Sequence, residues 1–227
     1  MPAPSVSVIM PVLNETGEIA AALTTLAEWR AAGCEVIVCD GGSRDDTLAL
    51  ARAGADRVVV TGAGRARQMN AGAAEATGEV LLFLHADCRL PAEGLRAIRQ
   101  AITRGATWGR FDVTLSGRHP LFRLIESLMN WRSRLTGIAT GDQALFVRRD
   151  VFVVIGGFAE IELMEDIELS KRLRRRAWPA CQSVRVYSSS RRWEAGGILR
   201  TVWLMWRLRF AYWLGADPRR LAKWYYR

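Results

Sequence analysis

Apolar residues in the first half of the chain come in four short runs rich in β-branched side chains: SVSVIMPV at 5–12, EVIVCD at 35–40, DRVVV at 56–60 and EVLLFLHAD at 79–87. Stretches of helical length separate them at 19–32, 47–53 and 65–76. Near-continuous apolar runs alternating with helices mark a parallel sheet covered on both faces, since each such strand is buried on two sides. The pattern predicts an open α/β sheet whose ligands sit beyond the carboxyl ends of the strands.

The second half is less regular. A strand is predicted at 107–115, an amphipathic helix after His119 and Pro120, and a further strand over DQALFVRRDVF at 142–152, followed by a turn at Gly156 and Gly157. Residues 165–176 predict a helix. Its acids Glu165, Asp166 and Glu168 open it and Arg174, Arg175 and Arg176 close it, which complements the helix dipole at both ends.

Composition narrows the class. With 227 residues, 50% of them hydrophobic and 24% charged, the chain suits one compact domain and excludes disorder. The four cysteines, Cys34, Cys39, Cys88 and Cys181, form no CxxC pair, so reduced core residues are expected and a zinc site is not. No run of 18 uncharged apolar residues and no signal-peptide pattern is present, from which a cytoplasmic protein is expected.

The net charge of +9 is unevenly spread. Residues 191–227 hold nine Arg and Lys against two acids, leaving only +2 for the first 190 residues, and five of the nine tryptophans fall in the same tail. A near-neutral body at 1–190 with a basic, aromatic helical tail at 191–227 is the expected division. Centred arginines make the apolar stretch 197–214 costly to bury in a bilayer, so the tail is expected to pack on the domain, on a second copy as a homodimer, or peripherally at the inner face of the membrane.

Candidate chemistry lies at the strand ends. The first strand runs into Pro11, Asn14 and Glu15, the second into Asp40, Gly41, Gly42 and Ser43, and the fourth into His85, Ala86 and Asp87. An acid after the second strand can accept hydrogen bonds from a ribose or base, with glycines allowing close backbone approach. An acid after the fourth can hold a divalent cation against a diphosphate. The bland alternatives are a helix cap at Asp45, Asp46 and Thr47, and a buried His85 with a satisfied ring. The string at 62–67 imitates a dinucleotide fingerprint but has Arg67 at the third glycine position, so an NAD site is rejected. Arg65, Arg67 and Gln68 at a helix start are read instead as facing phosphate, or as a solvated helix face.

In this order and spacing, PVLNE, DGGSRDDT, HAD, GDQALFVRRDVF, GGF and MEDIELSKRLRRR resemble the family 2 glycosyltransferases of the GT-A fold, over residues 5–193. GRARQMNAGA, FLHAD and GDQAL further resemble the arsenosugar-biosynthesis subgroup. The resemblance implies that Pro11, Asn14 and Glu15 line a nucleotide pocket and that Asp40 contacts the base or ribose of a nucleotide-diphosphate sugar, a UDP-sugar first among them. Asp87 matches the last acid of the DxD motif and implies Mg²⁺ or Mn²⁺, with His85 where the motif has its first acid. Asp166 matches the general base of inverting members. Gly141, Asp142 and Glu165 are implied on the acceptor side. Ser189 to Trp193 resembles the QxxRW motif, with Ser189 in place of Gln, and implies Arg192 and Trp193 as a lid.

The expected reaction is transfer of a single sugar to a hydroxyl of a small or lipid-linked acceptor, with no nucleic acid involved. Two alternatives remain at this point: a sugar nucleotidyltransferase, whose G-x-G-x-R loop the first strand lacks, and a non-catalytic basic membrane- or nucleic-acid-binding module.

Overall fold

The structure is a computed structural model that describes residues 3–225; Tyr226 and Arg227, the end of the expected tail, lie outside the described residues. The first half alternates as expected: β1 (Val6–Val12), α1 (Thr16–Ala31), β2 (Glu35–Asp40), α2 (Thr47–Gly54), β3 (Arg57–Val60), α3 (Arg65–Glu75) and β4 (Val80–Phe83). It continues through β5 (Cys88–Arg89), α4 (Glu93–Thr103), β6 (Trp108–Leu115), α5 (Pro120–Thr136), a 3-10 turn (Gly141–Gln143), β7 (Leu145–Arg148), α6 (Arg149–Val154), α7 (Glu165–Arg174) and β8 (Ala180–Ser188). The tail forms α8 (Arg191–Gly196), α9 (Ile198–Trp213) and α10 (Pro218–Tyr225).

Among the described residues the strands form one sheet in the order β3-β2-β1-β4-β7-β6-β8-β5. The first four are mutually parallel, and β7 is antiparallel to both β4 and β6. β8 returns parallel to β6 and pairs antiparallel with β5.

Side chains alternate across the sheet with the period of the strands. Val8, Met10, Val36, Val38 and Leu82 pack beneath Ile19, Leu26 and Trp29 of α1 and Ile98 of α4. Ile9, Ile37, Cys39, Leu81 and Phe83 pack on the other face against Met69 of α3, Phe152 of α6 and Leu169 and Leu173 of α7. Gly72 lets α3 approach this face, because a Cβ there would strike Cys39 and Ile9. All four cysteines are free, and burial pushes the Cys34 thiol up to about 11 and Cys39 to about 12, so both are inert packing groups.

One element departs from the pattern. The expected strand over 142–152 is three pieces: the 3-10 turn, β7, and then α6, which takes up RRDVF. Arg148 and Arg149 donate their backbone N–H to Thr107 and Glu79, which ends the ladder, and α6 follows with Asp150 in its first turn, the carboxylate accepting from the Val151 N–H at 2.8 Å. Within the basic run 171–176, Arg172 bonds Glu168 and donates to the carbonyls of Ile155 and Gly157, and Arg174 donates to that of Thr136, while Arg174, Arg175 and Arg176 stay exposed.

A third, smaller cluster joins the tail to the body. Leu208 of α9 and Leu221 and Ala222 of α10 pack with Ile138, Leu163, Met164 and Ile167, the segments on either side of the start of α7.

Candidate active site

The site is built where β1, β2 and β4 end. Asp40, the last residue of β2, is buried; its Oδ2 accepts from the N–H groups of Gly42 and Ser43 at 2.9 Å, which curls the chain into a tight loop. Its Oδ1 is buried with no hydrogen-bond partner. Such an orphan acceptor is costly unless a ligand hydroxyl or amine reaches it. The loop after β1 is tied to this one: Asn14, at φ 54°, donates its N–H to Ser43 Oγ and accepts from the Arg44 N–H. Glu15 donates its N–H to Thr47 Oγ1, and Asp45 caps the start of α2 through the Thr47 N–H. The capping reading of Asp45 and the site reading of its neighbours therefore hold together.

Two residues expected at the phosphates are committed elsewhere. The Gln68 amide is buried and donates to the carbonyls of Val12 and Cys39, both at 2.7 Å, so it clamps the ends of β1 and β2 together from beneath Gly41. Arg67 points outward to Glu160 at 3.4 Å. Arg65 is the member of the trio that faces the acids: its charge acts on Glu15, His85, Asp142 and Glu165.

The end of β4 meets the turn at 141–143 and the start of α7. Gly141 lies so close to the His85 ring that a Cβ would overlap it, and its N–H donates to Asp166 Oδ2 at 2.8 Å. Asp166 Oδ1 accepts the Ile167 N–H at 2.7 Å. His85, Gly141, Glu165 and Asp166 line one small cavity with Met69, Phe83 and Phe158. Met164, just before α7, is held at φ 72°, a left-handed conformation unfavourable for a side chain with a Cβ, while that side chain is buried in the cluster with Leu208 and Leu221.

Burial and crowding of like charge set the titration here. Burial pushes the Asp142 carboxyl up to about 6, reinforced by Asp87 and Asp166 and opposed by Arg65. Burial, then Asp166, pushes Glu165 up to about 7. Burial and Arg65 hold the His85 imidazole below its usual value, which favours the neutral ring that can ligate a metal. Among the described residues no group of three or more His, Cys, Asp or Glu side chains is arranged to hold a metal by itself. Asp87 supplies the oxygen donor a divalent cation on a diphosphate would need, and His85 the nitrogen donor at the same strand end that Mn²⁺ tolerates better than Mg²⁺.

The tail closes the site from the other side. Arg191 lies 3.7 Å from Glu15 and Glu18. Arg192 stacks 3.6 Å above the Tyr225 ring and donates to its carbonyl, while the Tyr225 hydroxyl bonds with Arg65. Trp193 is half-buried on α8, and Ala86 is buried with its carbonyl accepting from Arg89. Arg132 of α5 and Arg209 of α9 both act on Asp166. Sequence reasoning missed both, because each is one of three arginines in its helix and nothing in the pattern sets it apart.

The family described as Glycosyl transferase family 2 matches residues 7–159. A PGL/p-HBAD biosynthesis glycosyltransferase of Mycobacterium bovis is 38% identical over 94 residues, covering 38% of this chain and 37% of that protein. An uncharacterized glycosyltransferase of the same species is 30% identical over 139 residues, 57% of this chain and 60% of its own length. The chain thus spans less than two thirds of these relatives.

Among solved structures, the mannosyltransferase PcManGT from Pyrobaculum calidifontis, in complex with GDP-Man and Mn²⁺, superposes with a TM-score of 0.65 at 21% identity, over 93% of this chain and 62% of that one. Glucosyl-3-phosphoglycerate synthase from Mycobacterium tuberculosis, in complex with Mn²⁺, UDP and its product, gives 0.61 at 18% identity, over 82% and 71%. With the family matched over most of its length and the sheet shared with these structures, the chain belongs to glycosyl transferase family 2 and has the GT-A fold.

Proposed function

We propose that the protein is a glycosyltransferase that moves one sugar from a nucleoside-diphosphate sugar to a hydroxyl of its acceptor, with inversion. The observation that carries the reading is the Gly141 to Asp166 hydrogen bond, which holds a carboxylate of α7 against the end of β4, where donor and metal would lie. The curated relatives are glycosyltransferases by name, and solved GT-A structures hold GDP-Man or UDP with Mn²⁺ or Mg²⁺. On that basis UDP- and GDP-sugars are the donors to try first.

In this reading Asp40 binds the ribose or base through its orphan oxygen, with Asn14 and the 41–43 loop forming the pocket wall. Asp87 and His85 hold a divalent cation, which when bound neutralises charge on the diphosphate. Arg65 adds a fixed positive charge for the same leaving group. Asp166 has one lone pair left on each oxygen after accepting from Gly141 and Ile167, enough to take the acceptor proton. As that proton leaves, the acceptor oxygen bonds to the anomeric carbon, the bond to the diphosphate breaks, and the nucleoside diphosphate departs with the electron pair. Near pH 7 Glu165 is part-protonated, which limits repulsion beside Asp166.

The test is a thermal-shift panel of nucleoside diphosphates with and without Mn²⁺, followed by a donor-consumption assay. One nucleotide should stabilise the protein in a metal-dependent way, by about 2.7 kcal/mol at a hundredfold excess over Kd. Asp87→Ala should abolish that stabilisation. No stabilisation by any nucleotide in the presence of metal would sink the reading.

A further inference from the structure

Helix α9 is apolar on both sides. Its inner side supplies buried Leu208, with Leu204, Met205 and Ala211, to the cluster on α7. Its outer side presents Leu199, Trp203, Trp206, Phe210 and Trp213, each 62–73% exposed. A surface helix normally turns charge to the solvent, and aromatic side chains at spacings of three and four cost hydration without packing to offset it.

Helix α5 repeats the arrangement. Phe122, Glu126 and Ser133 are buried, while Leu124, Leu128, Trp131 and Leu135, spaced four, three and four apart, form an exposed stripe opposite them. The two helices approach at Arg132 and Arg209, whose charges act on each other. On each helix the arginine sits at the edge of the exposed stripe by the helical period. Arg132 Nε and Nη2 are buried there without a hydrogen-bond partner.

We propose that the exposed aromatic stripes of α9 and α5 dock the protein on the surface of an anionic lipid bilayer, with the aromatic side chains at headgroup depth and the exposed Arg200 and Arg207 on lipid phosphates. Tryptophan at a membrane interface and arginine beside anionic headgroups are the chemistry such a surface selects. Charge decides against a second copy of this chain: Arg200, Arg207 and Arg209 border the α9 face, and a symmetric dimer would bring the same cations together across it. No helix among the described residues is long and apolar enough to cross a membrane, so the helices lie in the interface plane.

The experiment is co-sedimentation of the whole chain with vesicles of phosphatidylcholine alone or mixed with phosphatidylglycerol, with tryptophan emission read in parallel. Binding to the anionic vesicles with a blue shift is expected, weakened by roughly 0.5 M NaCl and unaffected by inorganic phosphate. Trp206→Glu with Phe210→Glu, and separately Trp131→Glu, should each weaken binding by roughly tenfold or more, with the melting temperature and the nucleotide-induced thermal shift unchanged, since these side chains are exposed. The proposal is overturned if anionic vesicles do not bind, if the variants bind as well as the parent, if neutral vesicles bind equally, if inorganic phosphate competes the vesicles away, or if the face instead mediates a concentration-dependent dimer that the same variants dissolve. Vesicle binding requires no sugar transfer, so it stands or falls apart from the proposed activity.

Discussion

Gly141 and Asp166, 25 positions apart, are joined by one hydrogen bond of 2.8 Å from the glycine N–H to the Asp166 carboxylate. It links a tight turn after α5 to the first turn of α7, and so fixes the proposed base against the His85 side of the cleft.

Asp166→Asn tests the base directly. The Asn carbonyl can still accept one of the two backbone hydrogen bonds, so the fold and donor binding should persist while kcat drops by about two to four orders of magnitude. Steady-state kinetics together with nucleotide thermal shifts separate the two effects. A variant with near-normal turnover removes Asp166 from the chemistry.

Gly141→Ala should be damaging out of proportion to its size. The added methyl overlaps the His85 ring, and relief requires moving either the ring or the turn that donates to Asp166. The expected cost is about 1–3 kcal/mol in urea unfolding, accompanied by loss of metal-dependent nucleotide binding. Unchanged unfolding and unchanged binding would mean the contact is not maintained in solution.

Stability should fall as pH rises through the weakly acidic range. Burial and the neighbouring Asp166 push the Glu165 carboxyl up to about 7 from its ordinary 4.5, so between those values the native state binds more protons than the unfolded one. A group shifted upward in this way is neutral in both states below about pH 4, and its burial cost is felt in full only above about pH 7. Asp142, pushed up to about 6, acts in the same direction. Urea unfolding between pH 4 and 8 should show this decline, of order 3 kcal/mol from Glu165, and Glu165→Gln should flatten it. An identical slope in the variant would show that Glu165 is not buried as described.

Leu208→Ala probes the tail. Leu208 is fully buried against Ile138, Leu163, Met164 and Ile167, so the cavity should cost about 2–5 kcal/mol. Turnover should also fall while nucleotide binding holds, because the cluster supports Met164 in its left-handed conformation one turn from Asp166. Equal losses of nucleotide binding and turnover would point to general loosening instead.

The donor half was legible in the sequence because it is built from local β-α-β units. Each apolar run is a strand, and Asn14, Asp40 and Asp87 fall at strand ends by position alone. In the second half β6, α5 and α7 were legible from their own patterns, but β5 and β8 were not, because they pair with partners far along the chain: β8 lies beside β6 and β5. Gln68 and Arg67 were assigned to phosphate from their place at a helix start. A helix start fixes a backbone but not where a long side chain turns, and the open carbonyls of Val12 and Cys39 took the amide of Gln68 while Glu160 took Arg67. The β-branched run after Arg149 has strand composition, yet it forms α6, with the acid Asp150 in its first turn and the left-handed glycines 156 and 157 beyond its end. In the charge run at 171–176, Arg172 and Arg174 brace loops through backbone carbonyls.

The cluster that unites Ile138, Met164, Leu208 and Leu221 also orders events during synthesis. The nucleotide-side strands and helices can pair as soon as they leave the ribosome, since their partners precede or closely follow them. The first turn of α7 lacks its last packing partners, Leu221 and Ala222, until more than fifty further residues have been made. A nascent chain therefore completes the first four strands well before the proposed base is seated, and a premature stop within α9 would leave a folded body with an unfinished centre.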